Sequence, residues 1–267
     1  MHFGATLRLL RTEGGLSLRE LAERVGVSNA YLSRVENGHD RAPTPDRLLA
    51  IARALGLPAA RLLELAEGLH GVAERYLGQV PAARELVFEL ERRALTDVDF
   101  ARIKRFVERE FPLPAPTPRA SELRALLTPE RLVLELGCSD LADVIDVAST
   151  RLASSAGVPA TLLGQAIAKR ERECPSALGA GLAVPHALVA GARPAAALIT
   201  LKAPLAADTP DGQPLRMCLV HVHPGGPAHV DLLLDLAHLA EDDFVLRVCR
   251  AVRASADASE ILRFFER

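Results

Sequence analysis

Of the eight histidines in this chain of 267 residues, one stands where a reactive imidazole is useful. His186 ends the stretch "ALGAGLAVPH" (177–186), directly after a proline and behind an apolar run broken by two glycines. A neutral imidazole is abundant near pH 7 and can accept and release a phosphoryl group, act as a base beside an orienting acid, or bind a metal with companion ligands. The surroundings favour the first use. Gly179 and Gly181 permit close backbone approach and leave amide donors for phosphate oxygens, while Ser176 and Arg172 add a hydroxyl and a positive charge. Phosphoryl transfer asks for positioning and charge neutralisation of this kind. The expectation is an imidazole at a strand edge, open to an incoming partner; the plainer alternative is a histidine merely satisfied at a surface.

A metal is the rival use. His221 and His223 alternate on one strand face, and with His229 and His238 they make four imidazoles, enough for zinc. His229 and His238 are nine positions apart, however, and so fall on opposite sides of a helix with about 3.6 residues per turn. No four-ligand site is expected, although a set of two or three histidines stays open. His223 is a candidate to extend the polar lining around His186.

A second constellation lies near the start, in "LSLRELAERVGVSNAYLSRVENG" (16–38). Ser17 and Glu20 have capping-box spacing, so a helix starts at about Leu18; Gly26 permits a tight turn, Ser28 caps the next helix, and Asn37-Gly38 ends it. Leu21, Val25, Leu32 and Val35 then point into one core. Asn29, Ala30, Tyr31, Ser33 and Arg34 are left on the outer face of a short helix whose leading turn is polar, as major-groove reading requires.

These sites need elements to hold them. Residues 1–65 hold five short helical patterns separated by Gly and Pro, and nine arginines against seven acidic residues, a local +2 within a net charge of −2. Residues 66–111 are helical in pattern and more charged, with Leu86, Phe88, Leu90, Ile103, Phe106 and Val107 available for pairing between chains or for closing a helical hairpin. "FPLPAPTP" (111–118) has four prolines in eight residues and places a linker at 112–120. From 121 to 267, β-type runs ("RLVLEL", "AALITL", "RMCLVHV") alternate with helical ones ("DVIDVASTRLASSAG", "PATLLGQAIAKRE", "HVDLLLDLAHLA"), which argues for an α/β domain. The expected architecture is therefore multidomain: an all-α head, a helical connector, then a mixed sheet flanked by helices. With 49% hydrophobic and 25% charged residues the composition is that of a folded soluble protein, and no uncharged run approaches the roughly 20 residues of a membrane helix. Four cysteines without a C-x-x-C pair argue against a disulfide framework or a zinc knuckle. Reduced thiols, a cytoplasmic location and no export follow as expectations.

Residues 4–65 resemble the Cro/C1-type (XRE family) helix-turn-helix in the alanine at 22, the glycine at 26, the capping serine at 28 and "SRVENG" (33–38). Leu18-Arg19 stand where that family often has a glutamine after the first capping serine, so one expected backbone-positioning contact is either missing or moved to Arg19. The resemblance implies a double-stranded DNA operator as partner, a dimer on two half-sites, and contacts from Arg19, Ser28, Asn29, Ala30, Tyr31, Ser33, Arg34 and Asn37.

From "LTPERLVLEL" (127–136) to the end, the chain resembles the enzyme IIA domain of the bacterial phosphotransferase system, in its fructose/mannitol/nitrogen branch. "GAGLAVPH" matches the family's Gly-x-Gly-[apolar]-Ala-[apolar]-Pro-His core; "DGQPL" (211–215), a strand ending "LVHVHP" and "HVDLLLDLAHL" match its later motifs. Ala180 replaces an asparagine, and Ala187-Leu188 a glycine and a polar residue. The resemblance implies that His186 accepts phosphate through Nε2 from the phosphocarrier HPr, that His229 lies beside it, and that neither ATP, a metal nor another cofactor is needed. Together the two halves suggest a transcription regulator that senses phosphotransferase state through His186. The alternatives are an enzyme IIA component passing phosphate to a permease, or an unphosphorylated interaction or sensor module.

Overall fold

The computed structural model describes residues 3–111, 122–240, 244–255 and 257–265, so the linker expected at 112–120 lies outside the described residues. Contacts divide the chain into two compact units, Met1–Ala66 together with Ala120–Arg267, and Glu67–Arg119.

The head opens with α1 (Phe3–Glu13), α2 (Leu18–Val25) and α3 (Asn29–Glu36). Ser17 accepts from the Glu20 amide at 3.2 Å while Glu20 accepts from the Ser17 amide at 2.7 Å, which is the capping box read from the sequence. Ser28 caps α3 by accepting from the Tyr31 amide at 3.1 Å. Leu21, Leu32 and Val35 are buried, and Val25 packs against them. Two features lock α1 onto the end of α3. At Gly4, a Cβ would stand 2.0 Å from the Val35 carbonyl oxygen, so only glycine allows this approach. Arg11 donates through Nε at 2.6 Å and Nη2 at 2.8 Å to the two oxygens of Glu36, both side chains being largely shielded from solvent. The Glu36 hydrogen bond, opposed by burial, raises the Arg11 guanidinium above its ordinary pKa. The helices α4 (Pro45–Leu55) and α5 (Ala59–Gln79) follow. Helix α5 runs through the domain boundary expected at 65 and on to Gln79, since Gly68 and Gly71 weaken a helix without stopping it and the next proline is Pro81.

In the second unit, α6 (Pro81–Arg92) and α7 (Asp97–Glu110) follow α5. Leu90 and Ile103 are half-buried, whereas Leu86, Phe88, Phe106 and Val107 are exposed.

The remaining chain forms α8 (Glu122–Leu126), β1 (Leu132–Leu136), α9 (Leu141–Ala156), α10 (Ala160–Glu173), β2 (Ala177–Gly179), β3 (Leu182–Ala183), β4 (His186–Leu188), β5 (Ala195–Leu205), β6 (Leu215–His223), α11 (Pro227–Leu239), α12 (Phe244–Ala254) and α13 (Ala258–Leu262). The sheet is mixed, in the order β1-β5-β6-β3-β2; β4 also pairs with β6, in parallel. Period-two alternation divides its faces. Ala195, Ala197, Ile199, Cys218, Val220 and Val222 meet α9 and α10 on one side. Leu198, Met217 and Leu219 point to the other side, where α11, α12 and α13 share one core with the head's Leu7, Leu10, Leu21 and Leu32. The head therefore packs into the α/β module.

Proline placement sets up the site. β3 and β4 lie along the same edge of β6 and are parted at Val184-Pro185, where the missing proline N–H interrupts the ladder. The Pro185 carbonyl still accepts from the His221 amide at 3.1 Å. His186 resumes pairing directly opposite His221.

Candidate functional site

Val184, His186, Met217, Leu219, His221 and His223 share the parity that faces α11, so β4 and β6 bring three imidazoles to one face and the first turn of α11 supplies a fourth, His229. The His186 and His221 rings stack at 4.9 Å with planes 6° apart, and His229 lies 5.5 Å from each of them. His223 stands 5.4 Å from His229, so it widens the cluster from that side.

The lid on this cluster comes from the head. Glu13, the last residue of α1, places Oε1 3.0 Å from His186 Nε2 and Oε2 2.9 Å from His229 Nε2. Arg170 of α10 donates to Oε1 through Nε at 2.8 Å and Nη2 at 2.7 Å, and through Nη1 to the Cys174 carbonyl at 3.2 Å. Burial alone would raise the Glu13 pKa; the hydrogen bonds from His186, His229 and Arg170 outweigh it and hold the carboxyl far below the usual carboxylate range. Glu13 is therefore an anion that only accepts. His186 Nδ1 faces the Val184 carbonyl at 2.8 Å, so each ring nitrogen of His186 is engaged by an oxygen, Nε2 by Glu13 and Nδ1 by Val184. His221 has no hydrogen-bond partner at either nitrogen among the described residues. Burial, reinforced by His186, His229 and His223 and opposed by Glu13, lowers its pKa well below the ordinary 6.5 and keeps it neutral. Burial also lowers His223, whose Nδ1 accepts from the Gly225 amide at 3.0 Å.

Several expected positions differ. His186 is not open: 1% of its side chain is exposed, because Glu13 and the shared core close over it. Its surroundings are polar all the same, and His229 is its neighbour as expected. Arg172 is solvent-exposed on α10 and Arg170 makes the contact; two residues are about 200° apart on a helix, so only one of them can face the site. Gly179 and Gly181, with positive φ of 91° and 78°, form the β2–β3 turn, and Ala180 between them is also left-handed at 53°. That turn is tied to the 211–217 segment, the Ala180 amide donating to Asp211 Oδ2 at 2.7 Å and the Gly181 carbonyl accepting from the Arg216 and Met217 amides. Ser176 is buried, its amide held by Glu171 at 3.0 Å and its hydroxyl without a partner among the described residues. His238 lines a separate cavity with Leu123 and Phe244. Among the described residues, the set with metal-ligand spacing is Glu13, His186 and His229, whose ligand atoms lie within 4.8 Å of one another. Glu13 is not singled out by the sequence, since an acidic residue at the end of a helix carries no local signal for a partner 173 positions away.

The other candidate surface is α3. Ser28, Asn29, Ala30 and Arg34 are exposed, Ser33 is half-buried, and the Tyr31 ring lies under the Arg47 guanidinium at 4.8 Å. Arg34 pairs with Asp40 at 3.0 Å, Arg19 with Glu23 at 2.8 Å, and the Asn37 amide donates to the Ser33 carbonyl at 2.8 Å. Exposed pairs of this kind are worth little and exchange readily for a phosphate. Among the described residues, no helix is long and apolar enough to cross a membrane.

Residues 125–267, more than half of the chain, match the family described as phosphoenolpyruvate-dependent sugar phosphotransferase system, EIIA 2, and the protein belongs to that family. Residues 7–62 match the helix-turn-helix family, so the chain joins a helix-turn-helix domain to an EIIA domain. The HTH-type transcriptional repressor RghR of Bacillus subtilis (strain 168) is 40% identical over 72 residues, which are 27% of this chain and 53% of that protein. The chain thus spans about half the length of RghR. The uncharacterized HTH-type transcriptional regulator RghRB of the same organism is 30% identical over 94 residues, 35% of this chain and 67% of that protein. Nitrogen regulatory protein IIA-Ntr from Neisseria meningitidis is similar in structure, with a TM-score of 0.49, 21% identity, and coverage of 54% of this chain and 99% of that one.

Proposed function

We propose that this protein is a sequence-specific DNA-binding transcription regulator whose EIIA domain reads the state of a phosphotransferase system through phosphorylation of His186 Nε2. The observation that carries this reading is the convergence of His186, His229 and Arg170 on one anionic group at the start of β4, in the same compact unit as α3 with its exposed Asn29, Ala30 and Arg34. A phosphoryl group in the place of the Glu13 carboxylate has the same donors available, and brings nearly two negative charges. The donor is an HPr-like phosphocarrier, the DNA partner a double-stranded operator, and the active form a cytoplasmic homodimer paired through α6 and α7. An operator contact built on phosphates makes affinity fall steeply with salt.

The test is phosphotransfer from phosphorylated HPr, followed by operator titration. One phosphoryl group per chain is expected on the wild type and none on His186→Ala. Operator affinity is expected to change at least fivefold on phosphorylation, in the wild type alone. Equal operator affinity in both states overturns the switch. The burial of His186 favours one competing reading, an unphosphorylated interaction module, which predicts no transfer at all.

A further inference from the structure

Glu13 belongs to the DNA-binding half of the chain, yet its carboxylate is fully spent on the phosphotransfer half. Its Oε1 receives Arg170 Nε, Arg170 Nη2 and His186 Nε2, and its Oε2 receives His229 Nε2, all between 2.7 and 3.0 Å. An anion held by one arginine and two imidazoles is what a phosphoryl group on Nε2 would also require. We infer that Glu13 is a gate: its carboxylate occupies the phosphoryl position of His186, so that docking of helix α1 and phosphorylation of His186 exclude one another. This rests on the reading of His186 as the phosphoryl acceptor.

Three observations support the exclusion. First, space: 4% of the Glu13 side chain, 1% of His186 and 2% of His229 are exposed, so no donor reaches Nε2 while α1 is seated. Second, electrons: attack requires the Nε2 lone pair to be presented to phosphorus, and in the docked arrangement Nε2 is engaged by Glu13 at 3.0 Å while Nδ1 is engaged by Val184 at 2.8 Å. Third, charge: a phosphohistidine and a carboxylate sharing one donor set repel, whereas either alone is satisfied. The balanced step begins with α1 withdrawing and the Nε2 proton passing to solvent. The Nε2 lone pair then forms the new N–P bond, the P–N bond of an N-phosphohistidine donor breaks, and the donor nitrogen keeps that electron pair and takes up a proton. Afterwards Arg170 and His229 hold the phosphoryl oxygens, and Glu13 cannot return until phosphate leaves.

The gate has a route to the DNA surface. Helix α1 carries Glu13 at its end, and it is pinned to the end of α3 by the Gly4 approach to Val35 and the Arg11–Glu36 ion pair. A second latch, Arg61 to Asp231 at 3.2 Å and Asp235 at 2.5 Å, ties α5 to α11. Asn29, Ala30 and Arg34 stay exposed in the docked form, so docking presents the recognition face instead of masking it.

Phosphoramidate, a small donor that needs no docking protein, tests the gate on the full chain. Wild type, Glu13→Ala and the isosteric Glu13→Gln are compared by intact mass, with His186 identified by peptide mapping and α1 followed by amide hydrogen exchange. Both variants are expected to gain the phosphoryl group on His186 at least tenfold faster than the wild type, and phosphorylated wild type is expected to lose amide protection over 3–13. Equal rates in all three proteins leave the acceptor reading standing and overturn the gate alone, as does full α1 protection in the phosphorylated wild type. No modification of His186 in any of them overturns the acceptor reading and the gate together. Should metal analysis find one stoichiometric ion in the wild type that is lost in Glu13→Ala, the three side chains are a metal site and the gate is overturned.

Discussion

The imidazole cluster under α1 and the helical pair α6–α7 invert the ordinary distribution of residues in opposite ways. In the first, a carboxylate, an arginine and four histidines are withdrawn from water; in the second, Leu86, Phe88, Phe106 and Val107 are left in it. A buried polar group costs stability unless it is hydrogen-bonded, and an exposed apolar patch costs solubility unless it is covered. Glu13 meets part of the cluster's cost within one chain by bonding His186, His229 Nε2 and Arg170 together, while His221 and His229 Nδ1 have no partner among the described residues. The helical pair has no such cover among the described residues of its own unit, and this is why a second copy is the proposed occupant. Each region is thus unfinished in a different currency: one waits for an anion to be exchanged, the other for apolar surface to be covered.

Three changes probe this contrast. The largest effect is expected from Arg11→Ala, which leaves Glu36 buried beside α1 without its bidentate partner. Orphaning a buried charge costs about 3–5 kcal/mol, and chemical denaturation should show that loss. A loss within ordinary surface scatter would mean that α1 is not fixed by its polar contacts. Next comes the double change Leu86→Asp, Phe88→Asp. Each apolar side chain removed from an interface forfeits about 1.5–3 kcal/mol, so dimerisation weakens by ~100-fold or more while thermal stability of the remainder stays within error. Light scattering reads this as a halved mass, and an unchanged mass removes α6–α7 as the pairing surface.

The smallest effect is on pH dependence. His221 is faced by His186 from β4, His229 from α11, His223 from its own strand and Glu13 from α1, and its folded pKa lies below the unfolded value of 6.5. The unfolded chain therefore binds more protons below pH 6.5, so the stabilisation is complete above that pH and is lost as pH falls through it, by at most about 1.4 kcal/mol per pH unit. Glu13, with its folded pKa also depressed, adds a further loss only below its ordinary 4.5. Denaturation midpoints measured from pH 7.5 to 5 should decline in the wild type and flatten in His221→Leu. An equal slope in both would remove His221 as the cause.

Much of the scaffold was legible because its signals are local. Ser17 and Glu20 form their box within one turn, Ser28 caps the next helix, and period-two alternation in "RMCLVHV" assigns Met217, Leu219 and His221 to one face and Cys218 and Val220 to the other. The core "GAGLAVPH" identified His186, and the motif at the start of α11 identified His229. Arg170 and Arg172 could not be told apart in advance, because both carry the needed charge and only the helix's rotational setting against β4 decides which one reaches inward. In sequence the two glycines suit a phosphate cradle and a tight turn equally well, because a left-handed glycine serves both; the pairing of Gly179 with Leu182 gives them to the turn.

By itself the amino-acid order determined the list of parts: a helix-turn-helix head, an EIIA domain with its histidines, and apolar helices between them, since caps, periodicity and motif spacing act over a few residues. That Glu13 closes the imidazole site was decided only by tertiary packing. A contact across 173 positions depends on two surfaces fitting together, and a lone glutamate is chemically the same at the end of any helix until the fold presents it with two imidazoles and an arginine.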